Sequence, residues 1–142
     1  ESMQAINAAN TGHSVITTIH ANSCEDTYYR MVTLCKQEQP GMDDATLQNL
    51  ATKAFPIVAF AKRLEDNSRR IMEITECETL QDGRKKMRTL YRFNITDNII
   101  ADGKPKVIGH YEKVENLSEG LQKRLRENGL PLKMQEQLLT KR

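Results

Sequence analysis

Residues 6–23 read Ile6-Asn7-Ala8-Ala9-Asn10-Thr11-Gly12-His13-Ser14-Val15-Ile16-Thr17-Thr18-Ile19-His20-Ala21-Asn22-Ser23, joining a helical pattern, a glycine stop, a β-branched run and a histidine. Met3, Ile6, Ala9 and Asn10 recur at helical spacing, and Gly12 stands where a left-handed residue ends a helix. The pattern predicts a helix over residues 1–11. Val15 to Ile19 is short and β-branched, with Val15 and Ile16 adjacent rather than alternating with charge. That predicts a strand buried on both faces in a parallel sheet. His20 then stands at the carboxyl end of the strand, where ligands sit in parallel α/β sheets.

Working outward, Ser23 followed by Asp26 resembles a capping box with Asp in place of Glu or Gln, and Tyr28, Met31, Val32 and Cys35 form an apolar stripe at helical spacing. These predict a helix over residues 24–37. Pro40-Gly41 breaks it, and Asp43 or Asp44 can cap a second helix carrying Leu47, Leu50, Ala51 and Ala54 as far as Phe55-Pro56. From Ile57 the character changes. Ile57 to Leu64 and Arg69 to Cys77 read as strands joined by the polar turn Glu65-Asp66-Asn67-Ser68. In Lys86 to Ile95 the odd positions Met87, Thr89, Tyr91, Phe93 and Ile95 face one way and Lys86, Arg88, Arg92 and Asn94 the other, an antiparallel strand with one wet face. Asp82-Gly83 precedes it, Asp102-Gly103 follows it, and Lys106 to Val114 reads as a further strand. Ser118 can cap a helix holding Leu121 and Leu125 that stops at Asn128-Gly129. Pro131 can start a last short helix with Met134, Leu138 and Leu139 before a frayed end at residues 140–142.

The expected organisation is one α/β domain: residues 1–55 with the parallel strand and its histidine, 56–116 as an antiparallel meander, and 117–142 as terminal helices. A chain of 142 residues fits one domain. Its hydrophobic share of 38%, mean hydropathy of −0.63 and lack of Trp make the apolar material thin for that length. The chain opens at Glu1 directly into an amphipathic pattern, which suggests a segment of something longer.

Net charge is +2, from 21 basic and 19 acidic residues spread through the sequence, short of the basic stripe of a dedicated nucleic-acid binder. Cys24, Cys35 and Cys77 are odd in number and show neither CxxC spacing nor a nearby His pair, so neither a disulfide framework nor a zinc site is indicated and reduced thiols are the default. No apolar run approaches the roughly 18 residues of a membrane span.

His20 is the sharpest chemical candidate. Between a strand end and a helix N-terminus it is placed to hydrogen-bond a phosphate or a catalytic water, the alternative being a histidine satisfied by backbone carbonyls. Thr17, Thr18, Asn22 and Ser23 crowd around it, although Thr favours strands and Asn and Ser favour caps. His13 follows the helix stop and reads equally as a loop residue. Glu1 could serve a metal or water, or simply face solvent near the positive end of the helix dipole. Arg30, ten residues past His20, could reach a phosphate or pair with a carboxylate. The run Gly83-Arg84-Lys85-Lys86-Met87-Arg88 is the most basic, but the aromatics Tyr91 and Phe93 fall on the opposite face, against nucleic-acid stacking. No Gly-rich phosphate loop is present in these residues.

The stretch Glu1 to Ser23 resembles the segment just downstream of the Walker B motif in the secretion and pilus ATPases, the superfamily of PilT, GspE and the CpaF/TadA group. Asn10-Thr11-Gly12-His13 and Thr18-Ile19-His20-Ala21-Asn22-Ser23 match without gaps, with Glu1 twelve residues before His13. Arg30 falls where the family places an Arg in the next helix. Phe55-Pro56-Ile57-Val58 and Arg69 to Glu76, ending Ile74-Thr75-Glu76, are similar to a hairpin of the CpaF/TadA group. Gly109-His110-Tyr111 through Gly129-Leu130-Pro131 is similar to its C-terminus.

The resemblance implies the C-terminal part of a RecA-like P-loop ATPase, followed by an antiparallel meander and terminal helices. The intact enzyme would work as a hexamer at the cytoplasmic face of the membrane, with inner-membrane secretion or pilus platform proteins as partners and no nucleic acid. It would use ATP and Mg2+ to drive Flp-type pilus assembly or protein secretion. His20 would approach the γ-phosphate side, Glu1 would sit near the metal and the attacking water, and Arg30 and His13 would belong to the nucleotide side; no residue here is expected to ligate metal directly. Without a GxxxxGK[ST] loop, the 142 residues by themselves are expected neither to hydrolyse ATP nor to hold it tightly. The alternative is a non-catalytic module that docks partners of the secretion machine.

Overall fold

The computed structural model describes residues 1–139. It is an α/β chain, with five helices and one four-stranded antiparallel sheet among those residues, and it divides into two compact units, Glu1–Val58 and the remainder from Ala59.

The first unit holds helices α1 (Ser2–Asn10), α2 (Cys24–Glu38) and α3 (Asp44–Ala54). Three of their ends have a clear chemical cause. Beyond α1, Gly12 takes φ +98, its N–H reaches the Ala9 carbonyl at 3.4 Å and the His13 N–H reaches Ala8 at 3.1 Å, the paired bonds of a Schellman stop. At α2, Ser23 Oγ accepts the Asp26 N–H at 3.0 Å, while the Asp26 carboxylate reaches back to the Asn22 N–H at 2.9 Å. The return bond of a capping box would go to the Ser23 N–H; here it goes to the residue before the cap, Asn22. At α3, Asp43 accepts the Thr46 N–H at 2.9 Å and its hydroxyl at 2.7 Å.

The expected apolar positions meet in one core. Ile6, Cys35, Leu47 and Ala51 are fully buried, with Met3, Cys24, Tyr28 and Met31 around them. Two polar ties join the helices and their ends: Asn10 Nδ2 donates to the Leu50 carbonyl at 3.2 Å, and Tyr28 Oη donates to that of Phe55 at 2.5 Å.

The strand expected at Val15 to Ile19 is not formed. Residues 13–20 carry no regular secondary structure, and Ile16 is 98% exposed. A parallel strand exists only through the neighbours that take its N–H and C=O groups. Among the described residues no strand pairs with it, since the ladder consists of β1 to β4. The β-branched run supplies propensity without a ladder to join.

The sheet contains β1 (Ile57–Arg63), β2 (Arg69–Thr79), β3 (Lys85–Ala101) and β4 (Lys104–Lys113), in that order. The turn residues read from sequence close its hairpins. Asn67 at φ 61 and Gly83 at φ 83 occupy the left-handed position of three-residue loops. Asp102 and Gly103, both at positive φ between the paired Ala101 and Lys104, form the two-residue turn that favours Asp-Gly.

Strict alternation along β3 fails at two bulges. Register slips between Ile74 and Thr75 of β2 opposite Leu90, and again at Thr96. The extra residue turns Leu90, an even position, to 5% exposure. Phe93 packs against Tyr111 with centroids 5.0 Å apart, and the Arg70 guanidinium lies 4.8 Å from the Phe93 ring. Gly109 is required beside them: a Cβ there would stand 2.4 Å from the Asn94 carbonyl oxygen and 2.6 Å from the Phe93 ring.

Helices α4 (Glu119–Glu127) and α5 (Leu132–Leu139) follow. Ser118 caps α4 by accepting the Leu121 N–H at 3.1 Å, and Gly129 at φ 84 ends it in a second Schellman stop. The expected fraying of residues 140–142 lies outside the described residues.

Candidate functional site

Helix α2 has two faces. Cys24, Thr27, Tyr28, Met31 and Cys35 are buried in the helical unit. Asp26, Tyr29, Arg30 and Thr33, at i, i+3, i+4 and i+7, form an opposite stripe. That stripe is one wall of an open, largely polar cavity of about 620 Å³, and the loop His20, Ala21 and Asn22 is the other. The capping bonds of α2 hold that loop, because the Asp26 carboxylate that accepts the Asn22 N–H also faces the cavity.

The two walls together carry an imidazole, a guanidinium, an amide, the Thr33 hydroxyl, the Tyr29 phenol and the Asp26 carboxylate. None of the ion pairs among the described residues involves Arg30. A planar guanidinium outside those ion pairs, in the same cavity lining as an imidazole, suits an oxyanion such as phosphate.

The predicted site residues are divided by the fold. His20, Arg30 and Asn22 share this cavity. Glu1, Thr17 and Thr18 line a second one of about 220 Å³ with Met31, Leu34 and Phe55. His13 lines neither and is exposed at the α1 stop. Ser23 is occupied as the α2 cap. Tyr29 and Thr33 did not stand out in the sequence, although counting one turn back and forward from Arg30 would have found a single helical face.

Other candidates are accounted for structurally. Burial pushes the Cys35 and Cys77 thiols up, so they stay protonated at neutral pH rather than acting as nucleophiles. In the basic run, Arg84 pairs with Asp82 at 2.7 Å, and Arg88 lies between Glu78 at 2.6 Å and Glu115 at 2.9 Å. Among the described residues no group of three or more His, Cys, Asp or Glu side chains could hold a metal ion. No described helix is long and apolar enough to cross a membrane.

No curated protein matches this sequence. The family model for the type II/IV secretion system protein matches residues 1–140, almost the full chain that carries the cavity, and the protein belongs to that family.

Proposed function

We propose that this chain is the C-terminal part of a RecA-like P-loop ATPase of the CpaF/TadA group, and that its cavity at His20 and Arg30 is the γ-phosphate side of the nucleotide site. The supporting observation is that His20, Asn22 and Arg30 line one polar cavity from its two walls. An oxyanion there can accept hydrogen bonds from the guanidinium, the amide and the imidazole. His20 lies on a loop anchored to α2, so an altered contact at its ring can be passed to the helix. Glu1 lines a separate cavity, and its role on the metal and water side rests on the resemblance alone. Mg2+, when bound with ATP, would neutralise phosphate charge. These residues do not make a ligand set for it, and such an ion commonly keeps several waters and phosphate oxygens.

In this reading the intact protein is a hexamer at the cytoplasmic face of the membrane. It couples ATP hydrolysis to secretion or Flp-type pilus assembly through inner-membrane platform proteins, and the 142 residues alone are inactive. In the complete protein, His20→Ala should lower ATP turnover by about 10²-fold or more, the scale of losing a group that contacts developing charge, with the thermal midpoint unchanged. Turnover equal to the parent's in a folded variant overturns the role of His20. Capture of platform proteins by a variant without ATP turnover would favour the docking-module alternative.

A further inference from the structure

The sheet unit carries a groove outside the proposed phosphate site. The register that pairs β2 with β3 runs from Thr79 and Lys85 as far as Glu73 and Arg92. At that end lies a cavity of about 230 Å³ whose lining is almost wholly apolar. Phe93 is its buried floor, and Ile71, Ile74, Tyr91 and Tyr111 surround it, with Ile71 43% and Tyr111 56% exposed. Since the lining is apolar, Arg92 contributes its methylene stem and carries its guanidinium to the rim.

That guanidinium is not engaged by its neighbours. Glu73 and Glu112 stand opposite Arg92 across the two ladders, but the Thr75 and Thr89 hydroxyls bond to Glu73 at 2.7 and 2.9 Å and the Asn94 amide to Glu112 at 2.6 Å. None of the ion pairs among the described residues involves Arg92. Arg70, by contrast, is held over the Phe93 ring. The surrounding unit is basic: of the 21 lysines and arginines only Arg30, Lys36 and Lys53 precede Ala59, against the acids Glu1, Glu25, Asp26, Glu38, Asp43 and Asp44. An anionic group is therefore the natural complement.

Size decides the class of occupant. The volume falls below the roughly 300–1,000 Å³ of small-molecule sites and suits a single large side chain. Tyrosine and arginine around an apolar pocket are also the composition of interface hot spots. We propose that this groove docks an extended segment of a partner protein, seating one large apolar side chain on Phe93 between Ile71 and Tyr111 and an adjacent carboxylate on Arg92. The proposal does not depend on the phosphate site, because every residue of the groove lies beyond Val58.

The chain has no Trp, so a tryptophan in a peptide reports its own binding. The probes are acetylated, amidated hexapeptides with Trp-Asp or Asp-Trp in a Gly-Ser background. They are titrated to millimolar concentration into the 142-residue chain and followed by fluorescence and by NMR at the amides of Ile71, Arg92 and Tyr111. At least one order of the pair should bind, with blue-shifted emission and shifts at those amides. Replacing its Trp by Ala should weaken binding about tenfold or more, the scale of a hot spot. Replacing its Asp by Asn should weaken it about two- to fivefold, the scale of a rim ion pair, and Arg92→Gln should erase that second difference while keeping the first. Ile71→Lys should abolish binding and, since Ile71 is partly exposed, retain the parent's thermal midpoint. Binding of neither peptide, equal binding of the Ala peptide, or binding that survives Ile71→Lys overturns the groove. An Asp-to-Asn difference that survives Arg92→Gln overturns the role of Arg92. Shifts of the same amides on diluting the chain alone give the groove to a second copy, and shifts with phosphatidylglycerol vesicles give it to lipid; either overturns the proposal.

Discussion

The buried carboxylate of Glu76, on β2, takes two hydrogen bonds from one residue, Ser118. One comes from its N–H at 2.8 Å and the other from its hydroxyl, whose oxygen at the same time caps α4. The clasp matters because the helices beyond it bury little. In α4 no residue is fully buried, in α5 only Gln135 is, and Leu132, Met134 and Leu138 are exposed. A polar anchor thus does what an apolar interface does in the helical unit.

Ser118→Ala should cost about 1–3 kcal/mol, because it removes the cap and leaves a buried carboxylate oxygen without its partner. Hydrogen exchange should show the loss first in α4, with β2 and β3 protected as before. Uniform loss of protection throughout the sheet would mean that the clasp supports the whole unit rather than its tail.

Asp66 closes the β1–β2 turn and ties it to β4. The Ser68 hydroxyl, the Val107 N–H and the Ser68 N–H bonded to its carboxylate hold its pKa below the usual aspartate range. A carboxyl depressed in the folded state contributes stability above its unfolded pKa of about 3.9, and that contribution disappears as pH falls through the lower folded value. Urea midpoints of the parent and Asp66→Asn should therefore differ by a constant amount from neutral pH to about pH 5 and converge below pH 4. A difference that persists at the lowest pH would assign the effect to shape instead of charge.

Residues 14–21 enter into no backbone hydrogen bond among the described residues, although Val15 to Ile19 has strong strand propensity. An exposed run of unpaired donors and acceptors with apolar side chains recruits another chain. We expect the 142-residue chain to self-associate, as light scattering after gel filtration would show. Ile16→Lys should reduce the association without altering the helical core, since Ile16 is 98% exposed. A clean monomer at high concentration would rule the association out.

Much of the fold was legible because its causes are local. Gly12, Ser23, Asp43, Ser118 and Gly129 end or begin helices through bonds spanning a few residues, and Asp102-Gly103 closes a hairpin by its own conformational preference. The site was legible in part for the same reason: His20 and Arg30 are separated by one short loop and two turns of α2, and so reach a common cavity.

What tertiary structure alone decided concerns partners distant in the chain. Strand formation at Val15 to Ile19 needed a neighbouring ladder, and none is present among the described residues. The bulge that buries Leu90 arises from the register between β2 and β3, which alternation along one strand does not contain. Glu76 reads as one more acidic residue until Ser118, forty-two positions later, is brought to it. By itself the sequence determined where most helices and turns start and stop, and placed His20 and Arg30 close enough along the chain to line one cavity. Pairing across the sheet, the clasp at Glu76 and the separation of Glu1 from His20 came from the fold, because burial and hydrogen-bond satisfaction are settled between segments and not within them.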